Sequence, residues 1–341
     1  MTVVDILKQL SDIPGPSGRE ESVRGAVVSL IDGYCECRTD PLGNLLVSKK
    51  GKERANHNIQ LSAHMDEVGF IITQIEENGL LRFETVGGID SRVILGKAVE
   101  IGENRIYGVI GSKAVHHQKE EERATPLSVD RLYIDIGAKN RTEALNHTAP
   151  GEFAVYHTAW VAIGEHKIMG RAFDDRVGCA LLVDLIRSEL PYDCSFSFTV
   201  QEETGCIGAM TAAYHLGPDI CIAVEATTAS DIPGTPPEKR ICEQGKGPVI
   251  SFMDKGTVYD QGLYRLTLET AAENGIPCQS KLGVYGANES RSMQTAKTGA
   301  RTIAVSLPCR YIHSPSNVLD LRDIAPTREL LGAMIERLAV L

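Results

Sequence analysis

The amino-acid sequence predicts an α/β protein: a mixed-sheet α/β sandwich domain made from both ends of the chain, with a small β-barrel domain inserted between them. Toward both ends, apolar strand-like runs alternate with helical segments, as in parallel sheets covered by helices. In the middle, short alternating runs separated by Gly and Asn turns indicate a β domain with almost no helical periodicity. The predicted boundaries are residues 1–67 and 166–341 for the discontinuous sandwich domain and 68–165 for the insertion.

The first part of the sandwich domain is predicted to open with two helices separated by a turn at residues 14–18. The second helix is expected at about 20–31, with Ser17 as its N-cap, because a serine oxygen can accept a free backbone N–H of the first turn. Strands are expected at 44–48 and 59–63. Both would join the large sheet before the chain enters the insertion.

The inserted segment is predicted to contain short strands at 70–75, 80–86, 98–101 and 132–136. Their alternation is typical of a barrel or a sandwich with one buried face. A polar, charged stretch at 116–125 is predicted to be a surface loop, in which His116 and His117 are solvated side chains rather than ligands.

After Met169 the sequence alternates between predicted helices and strands. The helices are expected at 174–190, 207–215, 263–274, 290–298 and 327–338, and the strands at 195–201, 220–225, 279–284 and 302–307. Apolar strands of this kind are typical of a parallel sheet covered on both faces. Ligands of such sheets bind in the crevice at the carboxyl ends of the strands, so polar residues that follow a strand are candidate site residues.

The composition excludes several classes of protein. Of the 341 residues, 43% are hydrophobic and 23% are charged, which allows a substantial core in one large or two unequal domains. The formal charge of −10 argues against a nucleic-acid-binding surface. No segment is apolar over the roughly 18 residues of a membrane span, and the amino terminus lacks the pattern of a signal peptide. Nine scattered cysteines indicate reduced thiols, so we expect a cytoplasmic protein. From the net charge and the lack of an apolar span, we expect no nucleic-acid and no membrane partner.

Five segments carry an acid or a histidine close to the end of a predicted strand. They contribute His64 with Asp66, Asp174, the pair Glu202 and Glu203, Glu225, and His313. Each segment alone has an ordinary explanation, such as helix capping for an acid or surface hydrogen bonding for a histidine. Together, two neutral histidines and three carboxylates suit two divalent cations, with zinc or cobalt first and manganese as a further candidate.

Two of these segments also indicate roles beside the metal ligands. Asp66, two residues after His64, can hold the second imidazole nitrogen and so determine which nitrogen faces a metal. The adjacent carboxylates of Glu202 and Glu203 repel each other unless a cation compensates them or both are fully solvated. With a cation present, one of the two can bind metal while its neighbour stays free as a general base. The chain has no G-x-S-x-G nucleophile motif and no G-x-x-x-x-G-K phosphate loop.

Between Pro14 and Pro315 the sequence contains seven strings in a fixed order: PGPSG, AHMDEVGF, GGIDSRV, IDIGA, FDDRVGC, QEETG and CRYIHSP. This ordered set resembles the family of tetrahedral dinuclear aminopeptidases, which includes glutamyl and deblocking aminopeptidases and some relatives called endoglucanases. The resemblance implies a zinc-peptidase-like fold and removal of N-terminal residues from short peptides with a free N-terminus. It also implies a homo-oligomer, in which the inserted domain makes dimer contacts and dimers assemble into a hollow dodecamer.

The resemblance assigns the candidate residues to two metal ions per subunit. It implies that His64, Asp174 and Glu225 hold one metal. It implies that Asp174, Glu203 and His313 hold the other, so that Asp174 bridges the pair.

The resemblance further implies that Glu202 is the general base and that Asp66 orients His64. Two positions depart from the family pattern. Glu225 stands where the family usually has Asp, and residues 286–290 read GANES where the family usually has a Gly-Gly-Thr-Asp-Ala-like segment. These departures bear on metal preference and on the substrate.

Other functions stay open at this point. The departures would also suit another di-metal amidohydrolase on the same scaffold, such as a deacylase or a carboxypeptidase-like enzyme. A non-catalytic metal-binding assembly protein is a further alternative, although a structural site has no use for the free base Glu202. A glycosidase is not favoured, because glycosidases generally use two free carboxylates. Arg92, Arg171 and Arg176 are expected either to anchor an acidic substrate side chain or to pair with nearby acids.

Overall fold

The computed structural model describes residues 1–120 and 125–341. It contains a large mixed sheet with helices and a closed antiparallel barrel, which confirms the predicted fold class. Of the predicted surface loop at 116–125, residues 121–124 lie outside the described residues. The first residues of that stretch belong to a 3₁₀ turn at Val115–His117, where both histidines are exposed.

The large sheet takes strands from both ends of the chain. They are β1 (Glu36–Thr39), β2 (Leu45–Lys49), β3 (Ile59–His64), β10 (Val161–Ile163), β11 (Lys167–Gly170), β12 (Cys194–Thr199), β13 (Ile220–Thr228), β14 (Val249–Ile250), β15 (Gln279–Ser280), β16 (Arg301–Arg310) and β17 (Asn317–Asp320). Their spatial order is β1-β2-β12-β3-β13-β16-β17-β11-β10, with β14 pairing with both β15 and β16. The central strands β12, β3, β13 and β16 are parallel neighbours, and the flanking strands β2 and β17 pair with them in antiparallel fashion.

The barrel is built from the strands between β3 and β10. They are β4 (Gly69–Ile75), β5 (Leu81–Val86), β6 (Ala98–Ile101), β7 (Ile106–Ser112), β8 (Leu132–Asp135) and β9 (Phe153–Tyr156). They close in the order β4-β5-β8-β7-β6-β9. Inside, the ring of Phe70 packs edge-on against Phe83 and Tyr156, with both centroid distances 5.2 Å. The barrel therefore has an aromatic core of its own.

Helices pack against the sheet and one another. They are α1 (Val3–Asp12), α2 (Glu21–Ile31), α3 (Arg141–Leu145), α4 (Phe173–Arg187), α5 (Ile207–Leu216), α6 (Gln261–Glu273), α7 (Ser290–Met293) and α8 (Ile324–Ala339). Local sequence explains the start of α1, because the side chains of Thr2 and Asp5 each accept the other's backbone N–H. Its residues Ile6, Leu7 and Leu10 are fully buried, so α1 is held by its apolar face.

The core of the large sheet lies around β3 and α4. Every residue of β3 is buried, which requires cover on both faces of the sheet. Helix α4 contacts α1 as well as β3 and β13, and its residues 173–183 are all buried. This burial holds the amino-terminal end of α4 rigidly against the end of β3, where two of the predicted site segments begin.

Most predicted elements are confirmed within a few residues, and the differences have local causes. The strands without a predicted counterpart are β1, β7, β9, β10, β11, β14 and β17. All residues of β1 and β10 are exposed and need no apolar alternation, and β14 has only two residues. The short helix α3 was also not predicted. The helix predicted at 290–298 ends at Met293, and the positive φ of Lys297 excludes its last turn. The strand predicted at 279–284 is limited to β15.

The predicted N-cap of α2 is wrong. The residue before α2 is Glu20, which makes no side-chain cap. Ser17 instead donates its hydroxyl to the carboxylate of Asp66, at 2.5 Å. The carboxylate of Asp66 is buried and needs hydrogen-bond donors, so the Ser17 hydroxyl bonds to it instead of capping α2.

The large sheet resumes before residue 166. β10 pairs with β11 in this sheet, although residues 161–163 fall within the segment expected to form the insertion. The division into residues 1–67 with 166–341 and residues 68–165 therefore stays a prediction.

All nine cysteines are free thiols, and most of them are buried. Over residues 1–120 and 125–341, no helix combines the length and the apolar character needed to cross a membrane.

Candidate active site

Parallel strands bring the predicted site segments to one edge of the large sheet. His64 is the last residue of β3. Glu202 and Glu203 follow the end of β12, and His313 follows the end of β16. Glu225 lies inside β13, which continues beyond the predicted end of that strand to Thr228. Because β12, β3, β13 and β16 run in the same direction, these side chains meet at the crevice where α/β proteins bind ligands.

The carboxylate of Asp174 lies between the two histidines. Asp174 sits at the start of α4 with non-helical backbone angles (φ −85°, ψ 105°), so its side chain projects from an irregular junction. Its Oδ1 lies 3.4 Å from Nε2 of His64. Its Oδ2 lies 3.3 Å from Nε2 of His313. One carboxylate therefore faces two separate imidazoles with different oxygens.

A second carboxylate lies near Nε2 of each imidazole. Oε2 of Glu225 lies 3.7 Å from Nε2 of His64. Oε2 of Glu203 lies 3.2 Å from Nε2 of His313. These contacts define two groups with donor atoms close enough to hold a metal ion, and Asp174 belongs to both groups.

Backbone carbonyls orient both imidazole rings. Nδ1 of His64 lies 3.1 Å from the carbonyl oxygen of Asp66, and Nδ1 of His313 lies 2.9 Å from that of Gly88. A carbonyl oxygen only accepts, so Nδ1 is the donor in both rings. In the neutral imidazole this leaves Nε2 without a proton and facing the acids. Gly88 belongs to the barrel segment and was not predicted as a site residue, although it lies in the string GGIDSRV.

The carboxylate of Asp66 acts mainly on the turn after β12. Its Oδ1 lies 3.4 Å from Nδ1 of His64, but the same oxygen accepts the backbone N–H of Glu202 at 3.0 Å. Its Oδ2 accepts the backbone N–H of Glu203, also at 3.0 Å, and the hydroxyl of Ser17. Asp66 therefore links the end of β3 to both adjacent glutamates, a contact that the sequence did not predict.

Glu202 belongs to neither of the two groups around Asp174, although its carboxylate forms a third group with His64 and Glu203 whose ligand atoms also lie close enough to hold a metal ion. It lines the cavity at the sheet edge, and its Oε1 accepts the S–H of Cys206 at 3.1 Å. Burial raises the pKa of Glu202 to about 8, with the neighbouring Glu203 adding to the effect. A carboxyl of this kind is suited to exchanging protons near neutral pH.

The donor set fits divalent cations. Burial raises the pKa of Glu225 well above its usual range, and its Oε1 has no hydrogen-bond partner among the described residues. Although burial alone would lower it, the carboxylates of Asp174 and Glu203 raise the pKa of His313 to about 11. The same balance, with Asp174 and Asp66, raises the pKa of His64. Buried carboxylate oxygens and imidazole nitrogens aimed at common points are the ligands that zinc and cobalt take in proteins.

A cavity of about 140 Å³ opens beside the two groups. Besides site residues, its lining includes Thr227, Ile241, Lys281, Tyr285, Asn288 and Ile312. The GANES segment contributes to this wall through residues 286–288. Its acid, Glu289, is fully buried and accepts the hydroxyls of Ser62 and Thr199, so it supports the sheet from within.

The three arginines considered as substrate anchors are engaged elsewhere. Arg92 pairs with Asp90 on the surface, and Arg171 pairs with buried Glu67. Arg176 is fully buried and donates to backbone carbonyls, including that of Met65 at 2.8 Å. Its Nη2 also lies 3.5 Å from Oε1 of Glu67. Of the two alternatives left open by the sequence, the structure therefore favours pairing with nearby acids for all three arginines.

With this geometry in view, comparison with known proteins identifies the family. A model of the M42 glutamyl aminopeptidases matches residues 43–330. The chain belongs to the M42 family. It is therefore a peptidase, a hydrolase acting on peptide bonds.

Several relatives of this M42 member align along nearly their whole length. A lysyl aminopeptidase of Pyrococcus furiosus is 30% identical over 348 residues, which cover 98% of this chain and 97% of the relative. The TET1 peptidase of Pyrococcus horikoshii, described as assembling into a tetrahedron or a large octahedral shell, is 32% identical with a TM-score of 0.86, covering 98% of this chain and 99% of that one. A Thermotoga maritima structure described as an endoglucanase is 34% identical with a TM-score of 0.81, covering 98% and 97%. The predicted resemblance, including relatives with an endoglucanase label, is confirmed.

Proposed function

We propose that this M42 peptidase is a metal-dependent aminopeptidase that uses two divalent cations, zinc or cobalt first and manganese as a further candidate. The observation that carries the proposal is the position of Asp174, whose two oxygens face Nε2 of two different histidines. His64 and Glu225 would hold one ion with Asp174, and Glu203 and His313 would hold the other with Asp174. Bound there, two such ions lower the pKa of a water and polarise the scissile carbonyl.

Glu202 is the proposed general base. Its carboxylate faces the cavity and belongs to neither group around Asp174, and it lies close to His64 of one group and to Glu203 of the other. It takes a proton from the attacking water and later gives it to the leaving amine. Asp66 holds the backbone of Glu202 and so positions its carboxylate.

The free α-amino group of the substrate would restrict cleavage to the first residue. A cationic amine is attracted to a site whose walls carry several carboxylates, including Glu202 and Glu225. These carboxylates line the cavity of about 140 Å³ in which the first residue would be bound. An N-acetylated peptide lacks the charged amine and is expected to be a poor substrate.

The test begins with protein stripped of metal and reloaded separately with zinc, cobalt or manganese. Each form is assayed on peptides with a free amino terminus and on their N-acetylated twins, with a soluble cellulose as a control. Metal-dependent release of the first residue, abolished by acetylation, is the expected result. Equal cleavage of acetylated peptides would favour a deacylase or carboxypeptidase-like amidohydrolase on the same scaffold. Two bound metals without any turnover would favour a non-catalytic assembly protein.

We also propose a cytoplasmic homo-oligomer in which dimers assemble into a dodecamer, with the barrel making dimer contacts. Support comes from the similarity to the TET1 peptidase, which is described as assembling into a tetrahedron or a large octahedral shell. Light scattering on the metal-loaded protein tests this, and a monomer at micromolar concentration would contradict it.

A further inference from the structure

Cys206 lies next to the proposed base Glu202, directly before the first residue of α5. Only 3% of the residue is exposed, and it does not belong to the cavity wall. Its Sγ donates a hydrogen bond to Oε1 of Glu202 at 3.1 Å. Among the residues that the structure describes, no other group donates a hydrogen bond to this carboxylate. The thiol is therefore the contact that decides where Oε1 of the base is held.

The backbone of Cys206 is also bonded to Glu202. Its N–H donates to the carbonyl oxygen of Glu202 at 2.8 Å, which closes a turn between the two residues. Cys206 has a left-handed backbone conformation, with φ 56° and ψ 38°. Residues with a Cβ adopt this region rarely, and those that do are concentrated at functional sites. This conformation places the thiol against the carboxylate four residues earlier in the chain.

The thiol of Cys206 is suited to act as a donor over the whole working pH range. Burial raises the pKa of this thiol above its usual range, and the neighbouring carboxylate of Glu202 adds to the effect. A protonated thiol has one S–H to donate, whereas a thiolate would repel the carboxylate. The contact is therefore a hydrogen bond from sulfur to the base.

The carboxylate of Glu202 needs a restraint, because it has a competing use at the site. It lies close enough to His64 and Glu203 to form a third group that could hold a metal ion. A general base must stay within reach of the proton that it takes, and a carboxylate drawn onto a metal ion gives up that position. A hydrogen bond that holds Oε1 against Cys206 opposes such a movement.

We propose that Cys206 is a positioning residue for the general base: its S–H holds Oε1 of Glu202, directs the carboxylate at the attacking water and keeps it out of the metal groups. This inference rests on the proposed aminopeptidase function and adds a residue that acts only through Glu202. Because Cys206 is not part of the cavity wall, its loss should lower kcat and leave KM and metal content nearly unchanged.

The experiment measures kcat, KM and metal content on one free-amine peptide, with the protein loaded with the most active of the three metals. Cys206→Ala keeps the Cβ, and so the same backbone preference, but removes the donor. It should lower kcat by about 10-fold, the effect of losing one hydrogen bond to a charged group. Cys206→Ser supplies a hydroxyl donor and should restore kcat to within about threefold of the wild-type value.

The matched control is Cys194→Ala, at the other end of β12. Cys194 is also buried, but its Sγ donates to backbone carbonyls and not to a site residue. This variant loses the same atoms as Cys206→Ala and should keep the wild-type kcat. A loss of kcat in Cys194→Ala as large as in Cys206→Ala would overturn the inference, because any buried thiol would then have the same effect.

A double-mutant cycle separates positioning from a general structural role. If Cys206 acts through the carboxylate of Glu202, adding Cys206→Ala to Glu202→Gln should change kcat by less than about twofold. A further loss of about 10-fold in the double variant would overturn the inference, since independent effects multiply. Wild-type kcat in Cys206→Ala would overturn it as well, and so would Cys206→Ser as slow as Cys206→Ala.

These outcomes leave the proposed function intact if Glu202→Gln alone loses most of its turnover. Near-full turnover by metal-loaded Glu202→Gln overturns the proposed base, and the inference with it. Release of no residue from any free-amine peptide by the wild-type protein overturns the proposed function as a whole.

Discussion

Asp66, just after β3, accepts the backbone N–H of Glu202 at 3.0 Å. This hydrogen bond holds the turn that follows the neighbouring strand β12. The two residues are 136 positions apart in the chain. The other oxygen of Asp66 holds the backbone N–H of Glu203 in the same way. A proposed base and a proposed ligand are thus oriented by one buried carboxylate.

Asp66→Asn is expected to lower kcat/KM by about 10- to 100-fold at saturating metal, the usual effect of removing a group that orients metal ligands. The new amide N–H₂ would face a backbone donor at Glu202 or Glu203, and a donor cannot satisfy a donor. Peptide turnover and metal content are measured together. Ser17→Ala removes only one donor to Asp66 and should have a smaller effect. Wild-type turnover in Asp66→Asn would contradict the orienting role.

Glu202→Gln is expected to lower kcat by about 10²- to 10⁴-fold, the usual contribution of general acid–base catalysis. The amide has nearly the same shape but cannot accept a proton from water. Metal content should stay near two ions per chain, because Glu202 lies outside both groups around Asp174. Glu203→Gln is the matched comparison and should lose metal as well as activity. Near-full turnover by metal-loaded Glu202→Gln would show that another group is the base.

Asp174→Asn is expected to weaken the binding of both metal ions, since each oxygen of Asp174 serves a different histidine. His313→Ala should weaken only one ion, because its Nε2 faces a single group. Elemental analysis after dialysis gives the metal content per chain. Retention of one tightly bound ion in Asp174→Asn would argue against a bridging role for this carboxylate.

The buried carboxyl of Asp323, away from the active site, is expected to make the free energy of unfolding depend on pH. Its buried carboxylate accepts the backbone N–H groups of Gly245 and Gly247, both at 2.8 Å, and burial raises its pKa to about 6. The unfolded value is about 4, so between pH 4 and 6 the folded state binds the proton more tightly. The free energy of unfolding should therefore fall as pH rises through this window, by at most about 3 kcal/mol.

The measurement for Asp323 is urea unfolding at several pH values, compared with Asp323→Asn. The asparagine does not titrate, so the difference in stability between the two proteins should change between pH 4 and 6 and stay constant above about pH 7. Other titrating groups are shared by both proteins and cancel. A difference that does not vary with pH would mean that the pKa of Asp323 is not raised by folding.

Local patterns were sufficient to predict the central parallel strands of the large sheet. These strands, β3, β12, β13 and β16, are buried along nearly their whole length. Burial on both faces of the sheet favours apolar residues, and this enrichment can be recognised in the sequence. β1 escaped prediction because it is wholly exposed at the sheet edge. The N-cap assigned to Ser17 failed because a residue 49 positions away competes for its hydroxyl.

The sequence by itself determined the order of the elements, the fold class and the polar segments that meet at the sheet edge, since parallel strands carry whatever follows them to the same side. The tertiary structure alone decided which oxygen of Asp174 faces which histidine and that the barrel orients His313 through Gly88, 225 positions away. It also decided that Lys281, not an arginine, reaches the cavity. Periodicity reports the environment of a residue within its own element, whereas these contacts depend on how distant elements pack.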